Sequence, residues 1–241
     1  MKKKFRKTIA LLAAAAMALA LPACQQDSGE IHSLEFPDAS WGTFAEEVMD
    51  TYEVTQADLG DGYQIDDTGN GSLTIPGVSA FGEASEKIVF QFAWIGELEQ
   101  VRVYYPEDAD MEKVLEGMKA EYGEPARSAS KYTAKGEEAA CDSGGESLYW
   151  MGSHTLGNML DGNQQENLRE QLPEMDDSVW KKYLQNPESM AYWSTEHRSD
   201  PGLYPTEDAP SQENLVVLDG THAVEAMEAG AVACPVVRVE E

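Results

Sequence analysis

Side chains that carry oxygen recur between residues 66 and 72, where they could bind a hard cation. Asp66, Thr68 and Asn70 place these oxygens at alternate positions, and Gly71 follows them. Ca²⁺ takes oxygen ligands at this spacing from a single loop, and a glycine at the next position lets the backbone turn sharply. The pattern therefore identifies Asp66, Thr68 and Asn70 as candidate calcium ligands.

The same segment resembles the first half of an EF-hand loop but departs from its second half. Position 12 of such a loop supplies a bidentate glutamate, and here that position is Gly77, preceded by Pro76. The residues that follow alternate as a strand does, whereas the family has an exiting helix. Any calcium affinity that the resemblance implies is therefore weak, about millimolar as in extracellular modules. The alternative is a tight turn, rich in Asp, Gly and Asn, that leads into a strand.

The familiar catalytic arrangements are incomplete in this sequence. Ser143 lies in an Asp-Ser-Gly-Gly segment similar to the nucleophile loop of trypsin-like proteases, but no suitable histidine precedes it to act as the base. The four histidines are scattered, and none forms a pair that one helix would present to zinc: His32, His154, His197 and His222. We therefore predict no catalytic residue. A cell-wall or glycan-acting enzyme with two carboxylates distant in sequence remains the alternative.

Four aromatic residues could form an exposed platform that stacks on a sugar or a peptide: Trp150, Tyr192, Trp193 and Tyr204. Tryptophans in strands also pack in hydrophobic cores, which is the alternative explanation. A glycan or protein partner is therefore one of two interpretations of these residues.

The N-terminus has the three parts of a secretory signal peptide. Residues 2–7 carry five positive charges and no acid, and an alanine-rich apolar run follows over residues 9–21. This run of about 13 residues is shorter than the roughly 20 that a membrane-spanning helix needs. A small residue, Ala23, and then Cys24 end the segment, so we predict export and removal of residues 1–23.

The ending Leu21-Pro22-Ala23-Cys24 resembles the lipobox of bacterial lipoproteins, in which a leucine and a small residue precede an obligatory cysteine. The resemblance implies cleavage between Ala23 and Cys24 and a diacylglyceryl group on the Cys24 sulfur. Two acyl chains suffice for a stable anchor. The chain is then held on the extracytoplasmic face of the cell membrane, or on the outer membrane of a host with two membranes. An ordinary secreted protein is the alternative.

Two cysteines remain once Cys24 is lipidated. Cys141 and Cys234 can pair in one way, closing a loop of about 90 residues, and a disulfide is compatible with an extracytoplasmic location. Two free thiols are the other interpretation, because sequence does not give the distance between the sulfurs.

The charge of the chain excludes one class of partner. Removing residues 1–23 takes away five lysines and arginines and no acid, so the net charge changes from −27 to −32. Phosphate binding needs clustered lysines and arginines, so nucleic acid is not an expected partner. About 210 residues remain beyond the tether, enough for one domain or two small ones.

Hydrophobic periodicity predicts helices and strands in the first half. Thr43 as N-cap and Glu46 as its partner open a helix over residues 44–53. The breaker-rich residues 58–72 indicate a loop. Alternating apolar residues predict a β-hairpin over 86–105, with a third strand over 73–80 beside it.

Further elements are predicted towards the C-terminus. An amphipathic helix begins at Asp108 or Asp110 and ends at Gly123 and Pro125. The remaining elements are strands near 148–151 and 189–195, helices over 163–172 and 177–185, and closing strands over 215–218 and 231–239.

The order of elements over residues 40–125 resembles uncharacterised surface lipoproteins of Firmicutes, and through them small α+β domains of the β-lactamase-inhibitor-protein type. Trp41-Gly42 at a helix start and Tyr122-Gly123-Glu124-Pro125 at a helix end carry this resemblance. It implies helices on one face of an antiparallel sheet.

The expected architecture is therefore a signal peptide (1–23), a tether (24–35) and an extracytoplasmic α+β domain (36–241). The region 126–213 departs from the family pattern and is expected to be a helical insertion or a small second lobe. The expected function is a membrane-anchored, non-enzymatic binding module. The alternatives are the glycan-acting enzyme and a weakly calcium-binding structural protein.

Overall fold

A computed structural model describes residues 31–93, 95–125, 127–128, 147–195, 214–231 and 237–239. Its strands are β1 (Ile31–Ser33), β2 (Tyr63–Ile65), β3 (Gly71–Pro76), β4 (Ser79–Ala80), β5 (Glu83–Ala84), β6 (Lys87–Ala93), β7 (Glu97–Tyr104), β8 (Arg127–Ser128), β9 (Ser147–Met151), β10 (Met190–Ser194), β11 (Leu215–Asp219) and β12 (Val237–Val239). Its helices are α1 (Ala45–Thr51), α2 (Gln56–Leu59), α3 (Met111–Tyr122), α4 (Leu156–Met159), α5 (Gly162–Gln171), α6 (Asp177–Tyr183) and α7 (Thr221–Glu228). The chain is α+β, as its sequence predicts.

Eight strands form one large sheet in the order β2-β3-β6-β7-β11-β10-β9-β8, and every neighbouring pair is antiparallel. Two small sheets pair β1 with β12 and β4 with β5. Strand β11 comes late in the chain yet lies between β7 and β10. It therefore joins the N-terminal half of the sheet to the middle part of the chain.

The hairpin predicted over 86–105 is confirmed as β6 and β7. Ile88 and Phe90 are completely buried on one face, and the residues between them are only partly buried. The predicted third strand is confirmed over residues 73–76, where β3 pairs with β6, but not beyond, because Ser79–Ala80 form β4 and pair with β5. This period of two is what a sheet with one buried face requires.

Helix α3 packs on the buried face and is held at both ends by tryptophans of the sheet. Its N-cap is Asp110, whose Oδ1 accepts from Lys113 N at 3.1 Å, and Gly123 at φ +72° ends it. Trp193 Nε1 donates to Met111 O at 3.1 Å, and Trp150 Nε1 donates to Gly123 O at 2.7 Å. Strands β10 and β9 thereby fix the position of the helix.

The predicted N-cap of the first helix is wrong by one residue. Phe44 occupies the N-cap position of α1, and its N–H donates to Glu47 Oε2 at 3.0 Å. Thr43 is not available as the cap because its carbonyl accepts from Leu98 N at 2.9 Å. The bond to the sheet outweighs the local capping preference.

The loop predicted over 58–72 is also wrong in part. Helix α2 ends within it, a 3₁₀ turn covers Gly60–Gly62, and β2 pairs with β3. The Asp- and Gly-rich residues between β2 and β3 form the turn of a hairpin. These turn-forming residues therefore mark only the short connection between β2 and β3.

Two further differences lie near the ends of the chain. Strand β1 falls inside the predicted tether, and the adjacent Leu34 is completely buried, so the fold begins before residue 36. The closing strand predicted over 231–239 is shorter in the described part, where only β12 pairs with β1. Helix α7 was not predicted.

The helices between β9 and β10 have a hydrophobic cluster of their own. The predicted helices over 163–172 and 177–185 are confirmed as α5 and α6. Leu156, Leu168 and Trp180 pack there with Ala226 of α7. These helices lie within the expected insertion over 126–213, and whether it forms a separate lobe stays a prediction. Among the described helices, none is both long and apolar enough to cross a membrane.

Candidate functional site

A β-bulge interrupts the hairpin at Glu99. Gln91 pairs with Gln100 and Phe92 pairs with Leu98, so Glu99 is the extra residue on β7. A bulge of this kind bends the strand and re-aims side chains, and bulges are frequent beside functional sites. Leu98 is in the core, which leaves the side chains of Glu99 and Gln100 on the opposite face of the sheet.

A cavity of about 360 Å³ lies on that opposite face, over β6 and β7. Its lining consists of Val89, Gln91, Glu99, Gln100, Arg102 and Tyr104. Ligand pockets are typically about 300–1,000 Å³, so this cavity suits a small ligand. We call it the bulge pocket.

A chain of hydrogen bonds runs from two lining residues of the bulge pocket to the end of β11. Arg102 Nε donates to Gln100 Oε1 at 2.6 Å, and Gln100 Nε2 donates to Asp219 Oδ2 at 3.0 Å. The other oxygen of Asp219 accepts from Thr221 N at 2.9 Å, at the start of α7. Among the described residues, Arg102 makes no other side-chain hydrogen bond. Within the described ranges, its terminal guanidinium nitrogens therefore have no acceptor.

One end of the bulge pocket is acidic. Burial and, to a smaller extent, the nearby carboxylates of Asp219 and Glu225 together raise the pKa of Glu99 to about 7. Asp219 and Glu225 are themselves buried, at 8% and 6% exposure. No lysine or arginine of the described ranges forms an ion pair with these three acids.

A lysine lies beside the bulge pocket, next to Tyr104 of its lining. Lys87 pairs with Tyr104 across β6 and β7, and its Nζ lies 4.8 Å from the centre of the Tyr104 ring. Arg102 lies between this pair and the bulge. The pocket lining therefore includes one acid, Glu99, and one base, Arg102, and Lys87 contacts the lining residue Tyr104.

A pair of acids, Glu97 and Glu228, lies beside this group of three. Burial and the neighbouring Glu228 carboxyl raise the pKa of Glu97 to about 7. Residues two apart on a strand share a face, and so do residues three apart on a helix. Glu97 and Glu99 on β7 therefore face Glu228 and Glu225 on α7.

His222 continues the same face of α7 but is fully engaged. Its Nδ1 lies 2.7 Å from Glu225 Oε2, and its Nε2 lies 3.1 Å from Asn186 Nδ2. The Tyr183 ring contacts it edge-on, with the centroids 5.0 Å apart. An imidazole held at both nitrogens orients Glu225 and has no free nitrogen for a substrate.

The candidate calcium ligands are used for the β2–β3 turn. Asp66 Oδ1 accepts from Thr68 N at 2.8 Å, Thr68 Oγ1 at 2.6 Å and Asn70 N at 3.1 Å. Asn70 Oδ1 accepts from Gly96 N at 3.1 Å and so ties this turn to the one between β6 and β7. These bonds are those of the alternative turn interpretation, and calcium binding stays a prediction.

No group of three histidine, cysteine or acidic residues suited to a metal ion occurs in the part of the chain that the structure describes. Two histidines contact the segment before β10 at different residues: His154 N donates to Glu188 Oε1 at 3.0 Å, and His222 Nε2 lies 3.1 Å from Asn186 Nδ2.

For three of the four aromatic residues the platform interpretation is wrong and the core-packing interpretation is confirmed. Trp150, Tyr192 and Trp193 are 0–3% exposed because they belong to central strands of the sheet. Tyr204 lies outside the described residues, as do Ala23, Cys24, Ser143, His197 and the Cys141–Cys234 pair.

Sequence reasoning missed Glu99, Arg102, Asp219 and Glu225. One local signal was present: Leu98 and Val101 are both apolar and lie three apart, which a regular strand cannot place on one face. That break in the period indicates a bulge. Comparisons with family models, curated proteins and solved structures found no match to this chain.

Proposed function

We propose that the chain is a lipid-anchored lipoprotein of the extracytoplasmic face that binds a small polar ligand in the bulge pocket. The observation that carries the binding proposal is the concave site itself. It is about 360 Å³ in volume, and its lining includes a half-buried carboxyl and an arginine whose terminal nitrogens bond no described residue. Convergent polar groups in a formed pocket favour a ligand site.

The anchor is supported by the N-terminal sequence alone. Cys24→Ala removes the sulfur to which a diacylglyceryl group would be attached. Cells grown with a clickable fatty acid should label the native protein and the matched Cys141→Ala control but not Cys24→Ala. Label retained on Cys24→Ala would refute the anchor.

Binding is tested with a thermal-shift panel on full-length protein in detergent. The panel holds amino acids, short peptides, sugars, nucleotides and divalent cations. A ligand that binds only the native state raises the melting temperature. At least one class should raise it for the native protein and for Lys181→Ala, whose lysine is exposed on α6, but not for Arg102→Ala. If no class does so, the binding proposal fails.

One observation favours a second candidate, the glycan-acting enzyme. A carboxyl whose pKa is near 7, close to other carboxylates, is the arrangement that general acid catalysis on glycosidic bonds uses. In this case Glu99 is the acid and Asp219 the second carboxylate. Release of reducing ends from cell-wall glycan, abolished by Glu99→Gln and by Asp219→Asn, would support the enzyme over the binding module.

A further inference from the structure

The side chains that line the bulge pocket leave several hydrogen-bond donors without an acceptor. Those of Gln91 and Tyr104 form no hydrogen bond with a described residue, and the terminal nitrogens of Arg102 have no acceptor there either. A guanidinium only donates, whereas an amide and a hydroxyl both donate and accept. Free donors grouped around a guanidinium in a formed pocket suit a ligand that brings negative oxygen atoms.

Arg102 has no acidic partner of its own, although the chain carries 44 aspartates and glutamates. It is half-buried, and no described carboxylate forms an ion pair with it, whereas Arg169 forms one with Asp177. Taking a charged group out of water is costly unless a partner offsets the loss of hydration. An anion from outside the chain would supply that partner.

The hydrogen bonds of Gln100 fix the position of this guanidinium. Gln100 Nε2 donates to Asp219 Oδ2 at 3.0 Å, which leaves Gln100 Oε1 to accept from Arg102 Nε at 2.6 Å. An ionised carboxylate only accepts, so this orientation of the amide is the one that satisfies both neighbours. A guanidinium held through Nε keeps its two terminal nitrogens for another group, and a carboxylate can accept from both at once.

Glu99 lines the same pocket and determines how an anion can bind there. Its ionised form would repel a second anion, whereas its protonated form donates a hydrogen bond to one. Burial and the neighbouring acids raise the pKa of Glu99 to about 7, so the protonated form is present near neutral pH. Glu99 can therefore act as a further donor beside Arg102.

The other charged groups around Glu99 do not occupy the pocket. Asp219 on β11 and Glu225 on α7 are the acids that act on it, and neither lines the cavity. Asp219 accepts from Thr221 N at 2.9 Å, and Glu225 Oε2 lies 2.7 Å from His222 Nδ1. Strand β6 adds no titratable group to the lining. Only Glu99 and Arg102 therefore bring charge to the cavity wall.

We propose that the bulge pocket binds a small monocarboxylate, whose two oxygens accept from the terminal nitrogens of Arg102 and from the protonated carboxyl of Glu99. This inference rests on the proposed binding function and specifies its ligand. Val89 and the Tyr104 ring belong to the same lining and offer apolar contacts to the body of the ligand. Because Glu99 takes part in its protonated form, the ligand binds more tightly at lower pH.

Other ligand classes use less of this lining. A cation would meet the guanidinium of Arg102 and leave the free donors without an acceptor. A neutral sugar can hydrogen-bond to Gln91 and Tyr104 but brings no charge to the guanidinium. A phosphate ester offers similar oxygens with up to two negative charges, which the acids around Glu99 oppose more strongly. The single charge of a carboxylate is the better match.

The test adds benzoate to the ligand panel and measures its binding to the full-length protein in detergent by isothermal titration calorimetry at about pH 6. Benzamide has the same ring without the charge, and phenyl phosphate replaces the carboxylate by a phosphate. We expect benzoate to bind about 10- to 100-fold more tightly than benzamide, as hydrogen bonds to a charged group predict, and more tightly than phenyl phosphate. Equal affinity for benzoate and benzamide would overturn the proposal.

The pH dependence of binding tests the role of Glu99. With its pKa at about 7, the protonated fraction falls about tenfold between about pH 6 and about pH 8, and the apparent affinity for benzoate should fall with it. Benzoate itself stays ionised over this range. Glu99→Gln keeps a donor but does not titrate, so its affinity should stay constant. The exposed Glu46→Gln is the control and should follow the native protein. A native affinity that is the same at both pH values, or an equal fall in Glu99→Gln, refutes the proposal.

Variants of Arg102 test the other half of the site. Arg102→Ala should bind benzoate no more tightly than benzamide. Arg102→Lys keeps the charge but loses the planar pair of donors, so its affinity should be intermediate. The exposed Lys181→Ala should bind as the native protein does. Native affinity in both Arg102 variants would contradict the assignment. The comparison of benzoate with benzamide uses the native protein and stands even if a variant fails to fold.

The outcomes separate this inference from the proposed function. If phenyl phosphate, a sugar or another class binds in an Arg102-dependent way and benzoate does not, the carboxylate inference falls and the binding function stands. If neither benzoate nor any other class in the panel binds, both fall.

Discussion

Glu188 lies in the interior with only part of its carboxyl satisfied. It is 0% exposed, its Oε1 accepts from His154 N at 3.0 Å, and its Oε2 has no partner among the described residues. The carboxyl also packs on Gly152, where an added Cβ would lie 2.6 Å from the carboxyl carbon. Burial raises the pKa of Glu188 to about 7, although the bond from His154 lowers it.

A carboxyl with a raised pKa stabilises the fold only while it is protonated. The stabilisation is complete below the ordinary pKa of 4.5 and is lost as the pH rises through about 7. Between about pH 5 and about pH 8, one such group lowers the free energy of unfolding by about 2.5 kcal/mol. Glu188→Gln keeps the shape and an acceptor for His154 but removes this titration.

The assay is urea unfolding at about pH 5 and about pH 8, followed by tryptophan fluorescence. The native protein should lose about 2.5 kcal/mol more of its free energy of unfolding over this interval than Glu188→Gln does. Glu97 and Glu99 titrate in the same range in both proteins, so the difference isolates Glu188. The exposed Glu46→Gln should keep the native pH dependence. The reasoning is refuted if Glu188→Gln loses as much stability as the native protein.

The remaining predictions concern single positions in the fold. Gly220→Ala should lower the free energy of unfolding by about 1–3 kcal/mol, because its Cβ would lie 2.1 Å from the Trp41 ring; a denaturation midpoint measures this. Gly162→Ala, with nothing within 4 Å of the new Cβ, is the control and should be neutral or stabilising by under about 1 kcal/mol. If Asp66 binds calcium, adding calcium should raise the melting temperature of the native protein and not that of Asp66→Ala. If calcium raises neither melting temperature, the turn interpretation stands and calcium binding is refuted.

Short-range patterns in the sequence are enough to predict the hairpin and α3. The alternation around Phe90 and the Asp110 cap act within one element, so the sequence reports them directly. The first helix shows the limit of such reasoning. Thr43 has the right side chain for a cap, but its carbonyl bonds to Leu98, which is 55 residues away in sequence.

The acidic neighbours of Glu99 in the bulge pocket depend on contacts that sequence spacing does not reveal. Glu99 and Asp219 are 120 residues apart and come together only because β11 pairs with β7. The acidic residues of α7 arrive by the same route, since the helix follows β11 directly. Among many acidic residues, nothing local distinguishes these from exposed ones.

The position of β11 also sets the order in which the molecule can be completed during synthesis. Strands β2 to β7 have been made by residue 104 and β10 by residue 194, but the strand that joins them ends at residue 219. Until then the facing edges of β7 and β10 expose unpaired backbone groups, which are templates for pairing with other chains. A chain truncated before residue 215 would keep both open edges and lack Asp219 and α7. Such a fragment should aggregate, and it would keep Arg102 and Glu99 but lose the two acids that neighbour Glu99.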